Sequence, residues 1–302
     1  MAEGWGNKPT DDDAETKPQQ FTDKDVEGWL SEKKPEASII CMAFYGVDGV
    51  CKTGVAMDCY AKDKSGAPLE PEKKIIVLDL DGSADPIRMA FHSLHPGIIV
   101  VDPMVIGPNK EIDYVTSYNK LLSTVKYLVQ HEKEMNLHAV ILDGLDTLLK
   151  TCEYVMRFED LKMDPDTQMK DSWQWARRNR RYNTVILNLR RMKCAKFFTT
   201  HFKELKEWKA EQQGGQSRRV LSTREMVPDW EKGTPGIMYQ KVLLQKVVVE
   251  GVTNFEAVME KSKGNLGLEG KRFTVATVRE GFIEWYGLNE LYRILGLIKN
   301  GK

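Results

Sequence analysis

The sequence predicts an α/β fold: a mostly parallel central sheet flanked by helices, with antiparallel strands added at the C-terminal end. Three observations predict it. Short continuous apolar runs, Lys74 to Gly82, Gly97 to Asp102 and His138 to Asp143, alternate with segments of helical period. Such runs lack polar alternation, as strands covered on both faces must. From Ile237 onward the pattern changes, and Ile237 to Glu250 and Arg272 to Val278 read as antiparallel strands.

Residues 1–20 are rich in Asp, Lys, Gln, Gly and Pro without an apolar period and read as a disordered tail. Residues 21–36 read as a short helix and linker. Val26, Trp29 and Leu30 share one side of it, Thr22 and Asp25 form a capping box, and the helix is a docking element for the core or a neighbouring subunit. Ser38 to Tyr45 is a buried strand and Thr53 to Tyr60 a helix. Ser117 to Lys133 carries Leu121, Leu122, Val125, Leu128 and Val129 at helical spacing. A further helix ends near Met192 with Tyr182, Val185, Ile186 and Leu189 on one face, and Ala195 to His201 is a fifth strand. Residues 203–236 are polar and lack sustained periodicity, the signature of a functional or mobile loop. Gly287 to Ile298 closes the chain as a helix. These elements divide the chain into a core at 37–236 and a segment at 237–302 that completes it.

The 302 residues carry no formal net charge, so any contact with nucleic acid must come from local patches. Five cysteines without a C-x-x-C pair suit a reducing compartment and exclude a disulfide framework or zinc ribbon. No run of about 18 apolar residues and no signal-like segment is seen, so a soluble protein without a membrane partner is expected. His92 and His95 have no carboxylate or thiol close in sequence to complete a metal site, and a surface pair is expected.

Between the first strand and its helix lies Gly46-Val47-Asp48-Gly49-Val50-Cys51-Lys52-Thr53, followed by Gly54. It matches G-x-x-x-x-G-K-[ST] except that Cys51 stands where glycine is expected, and Gly49 supplies an inner glycine. In a strand-loop-helix context, backbone N–H groups surround phosphates and the helix N-terminus adds positive potential. Lys52 is then placed to reach the β and γ phosphates of ATP, and the Thr53 hydroxyl to ligate Mg2+. Cys51 must take up the loop conformation without glycine's freedom, and its place at a helix N-terminus predicts an acidified thiol.

Ligands of open α/β sheets bind outside the carboxyl ends of the strands. Asp143, ending the fourth apolar run, fits the acidic motif that holds the water shell of Mg2+ in P-loop ATPases, and Asp146 follows one turn later. Asp79-Leu80-Asp81-Gly82-Ser83-Ala84-Asp85-Pro86-Ile87-Arg88 resembles the D-x-E-G-[ST]-x-x-P-x-R segment of RecA-type strand-exchange ATPases. The resemblance places the water-activating acid on Asp81, one methylene shorter than the usual glutamate. It places the residue that senses the γ phosphate on His201, in Thr199-Thr200-His201-Phe202-Lys203-Glu204. Phage-encoded RecA-core ATPases that anneal single-stranded DNA are similar at this strand end. The resemblance spans roughly residues 38–250 and implies a RecA-like P-loop NTPase core.

The same resemblance places DNA contacts after the fourth and fifth strands. Arg177, Arg178, Arg180 and Arg181 there interleave with Trp173, Trp175 and Tyr182, and Lys203, Lys206, Trp208, Arg218 and Arg219 follow more loosely. Basic and aromatic side chains together neutralise phosphates and stack bases without reading sequence; a solvated helix face is the competing reading. The function expected is an ATP-dependent single-stranded DNA binding protein of recombination, annealing or repair. It would hydrolyse ATP with Mg2+, assemble as a homo-oligomeric ring or filament, and work in the cytoplasm, the host's if phage-encoded, with a single-strand-binding protein as a further partner. Two alternatives stand beside it: a nucleotide-gated assembly module with little turnover, and a P-loop kinase or packaging motor.

Overall fold

The first strand of the chain lies in the middle of the sheet. The computed structural model describes residues 40–298 except 165, 166, 168, 170, 171, 214 and 215, together with 22, 24 and 27. In it β1 (Cys41–Tyr45) runs parallel between β5 (Ala195–Thr200) and β8 (Gln240–Val249). Beyond β5 follow β4 (Leu137–Asp143), β2 (Lys74–Asp79) and β3 (Ile98–Val101), all parallel. Beyond β8 come β9 (Val252–Ser262), β10 (Arg272–Arg279) and β11 (Phe282–Trp285), each antiparallel to the last. The order is β11-β10-β9-β8-β1-β5-β4-β2-β3, a mostly parallel sheet with an antiparallel C-terminal extension, as the sequence predicts.

Strand alternation sorts the apolar side chains onto two faces. Met42, Phe44, Ile75, Val77 and Ile141 join one buried cluster, covered by α1 (Lys52–Met57), α2 (Ala84–Phe91) and α7 (Asn289–Ile294). Cys41, Ala43, Ile76, Leu78 and Val140 join the other, covered by α3 (Tyr114–His131), α4 (Leu145–Val155) and α5 (Ser172–Arg191). Asp113 caps α3 by accepting from the Thr116 N–H at 3.0 Å. A π-helical turn, Met156–Asp160, extends α4. The C-terminal end is fastened to the first helix by the Tyr292 hydroxyl, which donates to the Val55 carbonyl at 2.5 Å.

The described residues from 40 onward belong to one compact unit, separate from the N-terminal segment 1–36. The tail and short helix expected at 1–36 lie outside the described residues, apart from 22 and the helical positions 24 and 27. Among the described residues no helix is long and apolar enough to cross a membrane.

Three expectations need correction. The loop expected at 203–236 is instead a two-stranded antiparallel sheet of its own, β6 (Phe202–Gln213) with β7 (Gln216–Pro228), followed by the short α6 (Thr234–Ile237). The segment lacks the apolar period by which a strand covered on one face is recognised, and the signal it does carry is Gly214-Gly215, a favoured two-residue connection. The two strands expected after Ile237 are separated by a further one, β9, into which Glu250 and Gly251, both at positive φ (51° and 80°), turn the chain. Finally, His92 and His95 are buried rather than on the surface. His92 Nε2 lies 3.0 Å from the Gly54 carbonyl oxygen and Nδ1 3.2 Å from the Tyr60 hydroxyl, while His95 Nδ1 accepts from the Gly97 N–H at 3.0 Å.

The Tyr292–Val55 bond gives a direct test of how the C-terminal helix is held. Tyr292→Phe should lower unfolding free energy by about 1 kcal/mol, the net worth of one intramolecular hydrogen bond, measured by urea denaturation; an unchanged midpoint would show that packing alone holds α7.

Candidate active site

Four strand ends meet at one edge of the sheet. The loop after β1, the segment after β2, the end of β4 and the residue after β5 together line a cleft of about 280 Å³, walled by Asp48 to Thr53, Asp81, Asp143 and His201 among others. A larger hollow of about 710 Å³ lies between β9, β10 and α7, but it contains none of these groups.

The loop turns on two special positions. Gly46 approaches β8 so closely that a Cβ there would sit 2.3 Å from the Leu244 carbonyl oxygen. Cys51, at the entrance to α1, holds φ 66° and ψ 21°, the left-handed conformation that favours glycine. The sequence difference at Cys51 therefore keeps the loop geometry and strains the residue that replaced glycine. Burial pushes its thiol up despite Lys52 beside it, which corrects the expectation of an acidified cysteine. Val47, Asp48 and Gly49 are exposed, Val50 is buried, and Gly54 packs on the Trp285 ring.

Lys52 is buried and its Nζ donates to the carbonyls of Val47 at 2.8 Å and Gly46 at 3.3 Å. Burial lowers its pKa, opposed first by Asp48 and then by Asp143, Asp146 and Asp81. Next to it the Thr53 hydroxyl donates to both carboxylate oxygens of Asp143, at 3.0 and 2.8 Å. The Thr199 hydroxyl also donates to Asp143 and accepts from the Gly144 N–H at 3.0 Å. Burial raises the Asp143 pKa, and the hydrogen bonds from Thr199 and Thr53 counter it. Two buried oxygen donors, a hydroxyl and a carboxylate, meeting beside a phosphate-type loop fit the preferences of Mg2+.

The two acids at the end of β2 and just after it divide their tasks. Asp79 accepts from the Ser83 and Ala84 N–H groups at 3.2 and 2.9 Å and so starts α2. Asp81 turns toward the cleft, where Thr147 donates to its Oδ1. Its carboxyl packs over Gly144, which has φ 108°; a Cβ at Gly144 would lie 2.5 Å from Asp81 Oδ1. Although the residue is exposed, desolvation of that carboxyl pushes its pKa up to about 6, with Asp146 and Asp143 adding to the rise and Thr147 opposing it.

His201 is held at both ring nitrogens, with Asp146 Oδ2 2.9 Å from Nδ1 and Asp48 Oδ1 2.9 Å from Nε2. The bond to Asp146 raises the His201 pKa against the effect of burial. Burial opposes ionisation of Asp146, but the hydrogen bond and charge of His201 hold it below the usual carboxylate range. Asp81, Asp146 and His201 bring donor atoms within 4.8 Å of one another.

Lys52, Thr53, Asp81, Asp143 and His201 are thus brought together. Asp48 belongs to the loop read from the sequence, but its contact with His201 was not foreseen, and Gly144, Asp146, Thr147 and Thr199 gave no assigned role. Their spacing after Asp143 and before His201 was the available signal. On α5, Arg181 pairs with Asp160 at 2.7 Å and Glu159 at 2.9 Å, and Arg178 stacks over Trp175. Arg177, stacked over Trp173, and Arg180 are exposed. Lys203 pairs with Asp229 at 2.7 Å. The side chains of Lys206, Trp208, Arg218 and Arg219 lie outside the described residues; their backbones belong to β6 and β7.

No protein-family model and no curated protein matches the sequence. Solved structures do. A KaiC-like protein from the hyperthermophilic archaeon Pyrococcus horikoshii shares 12% identity over 82% of this chain and 90% of its own, with a TM-score of 0.44. The RadB recombinase shares 12% identity over 86% of this chain and 96% of its own, with a TM-score of 0.45.

Gly144 tests the architecture of the cleft. Gly144→Ala should cost about 1–3 kcal/mol, the usual size of such backbone strain, and should displace the Asp81 carboxyl. Chemical denaturation reads the first effect, and the Asp81 titration, followed by NMR, should move toward the ordinary carboxylate range.

Proposed function

We propose that this chain binds ATP in the cleft and hydrolyses it, as a RecA-like ATPase acting on single-stranded DNA in recombination, annealing or repair. The observation that carries the reading is the convergence of Lys52, Thr53, Asp81 and Asp143, from three separate strand ends, around one loop. Backbone N–H groups of the loop and Lys52 bind the phosphates, with Lys52 Nζ leaving the Val47 and Gly46 carbonyls to do so. Thr53 and Asp143 are the residues that would hold Mg2+, which would offset the negative charge of the phosphates.

Asp81 is the base that takes a proton from the attacking water. Thr147 occupies Oδ1, which leaves Oδ2 as the free acceptor. The raised pKa suits that task, because a base titrating near 6 is ionised at neutral pH yet more basic than a free aspartate. His201 lines the cleft and immediately precedes β6, so in this reading it senses the γ phosphate and passes occupancy of the cleft to the hairpin.

Contact with single-stranded DNA is supported by the exposed cations Arg177 and Arg180 with the exposed Trp173 on α5, and by the basic and aromatic composition of the hairpin. Arg178, Arg181 and Lys203 are tied to internal partners and contribute less. Assembly as a ring or filament belongs to the same reading, as does a single-strand-binding partner. The strained Cys51 favours a second reading, a nucleotide-gated assembly module with little turnover. Phosphate release with and without single-stranded DNA, followed alongside particle size, separates the two: stimulated release supports the ATPase, and tight binding without release supports the switch.

Lys52→Ala should remove charge-assisted contacts worth about 1.5–3 kcal/mol, weakening ATP binding in a calorimetric titration by about tenfold or more. Asp81→Asn should keep that affinity and abolish phosphate release; wild-type turnover in the variant would move the base elsewhere.

Because Asp81 must be unprotonated to act, hydrolysis should rise with pH and level off above about 6. Below that point the rate should fall about tenfold per pH unit, measured as turnover at saturating ATP.

A further inference from the structure

Asp48 and Lys52 are the charged groups of the phosphate loop, and the proposed chemistry uses Lys52 but leaves Asp48 without a task. Its side chain is 92% exposed, yet its carboxylate oxygen stands 2.9 Å from His201 Nε2. The opposite ring nitrogen is taken by Asp146, so Asp48 is the close partner of the remaining one. Among the carboxylates around Lys52, Asp48 exerts the strongest pull on that ammonium group. Lys52 in turn is turned back on the loop, bonded to the carbonyls on the N-terminal side of Asp48. One carboxylate thus faces both cationic groups that the proposed function directs at the terminal phosphate.

We infer that Asp48 is an internal stand-in for the γ phosphate, closing the loop onto His201 until a nucleoside triphosphate displaces it. The inference rests on the ATP-binding reading above and adds a selectivity element to it. Asp48 and a γ phosphate are both anions, and two anions cannot share His201 Nε2 without repulsion. A triphosphate must therefore break the Asp48–His201 contact, while a diphosphate reaches the loop and Lys52 without doing so. Breaking it also detaches the loop from the base of β6, which starts at the next residue, Phe202. Asp48 is a positioning residue in this scheme: it lowers apparent triphosphate affinity by the fraction of molecules held closed.

The test is titration of the full-length protein with fluorescent ribose-labelled ATP and ADP in the presence of Mg2+. Asp48→Ala should tighten triphosphate binding about fivefold or more, within the usual range of site-to-site coupling, and leave diphosphate binding within about twofold. Asp48→Glu, which keeps the charge, should restore the wild-type ratio. In a His201→Ala background the effect of Asp48→Ala should shrink to within about twofold, since the two residues act through one contact. Equal changes for both nucleotides, weaker triphosphate binding, or an undiminished effect without His201 would each overturn the inference. If Lys52→Ala loses binding while Asp48→Ala shows no selectivity, only the inference fails; if Lys52→Ala binds as wild type, the ATP reading fails with it.

Discussion

One buried carboxylate fastens three elements of this molecule. Asp143, at the end of β4, receives hydroxyl hydrogen bonds from Thr53 at the start of α1 and from Thr199 near the end of β5. A buried carboxylate without such partners costs several kcal/mol or else takes up a proton; here burial raises its pKa, and the two hydroxyls, followed by the charge of Lys52, favour the anion. They also decide geometry. Thr199 returns the contact through the Gly144 N–H, which sets the backbone of the residue over which Asp81 packs. Position of the loop after β1, charge of the Asp143 carboxylate and placement of Asp81 are therefore one linked problem.

The legible parts of the fold are those with a core on both sides. β2 and β4 read as continuous apolar runs because α1 and α2 cover one face and α3, α4 and α5 the other. Among the described residues β6 and β7 pair only with each other, and their sequence lacks an apolar alternation. β9 lost its signal to a mixed pattern of half-buried positions. The histidines His92 and His95 look like surface residues because burial of an imidazole is decided by partners such as Gly54, Tyr60 and Gly97, which the local sequence does not announce.

The site was legible where chemistry dictates spacing along the chain and illegible where it dictates only spacing in space. Lys52 and Thr53 are adjacent because a loop and a helix start require it, and Asp81 and Asp143 sit at ends of apolar runs. Asp146, Thr147 and Thr199 act through contacts between strand ends remote in sequence. Cys51 is instructive in both directions: its backbone obeys the glycine pattern, whereas its thiol follows burial rather than the helix terminus.

The central place of β1 shapes how the chain must be built. Its neighbours are β5 and β8, with Cys41 beside Lys196 and Met42 beside Gln240, so its hydrogen-bonding partners leave the ribosome long after it does. Contacts of such long sequence separation form slowly, and until they form an apolar strand stays open to wrong partners. The nascent chain thus carries the loop after β1 unshaped through most of translation, and a polypeptide released before β8 emerges would lack the backbone against which Gly46 of that loop is seated.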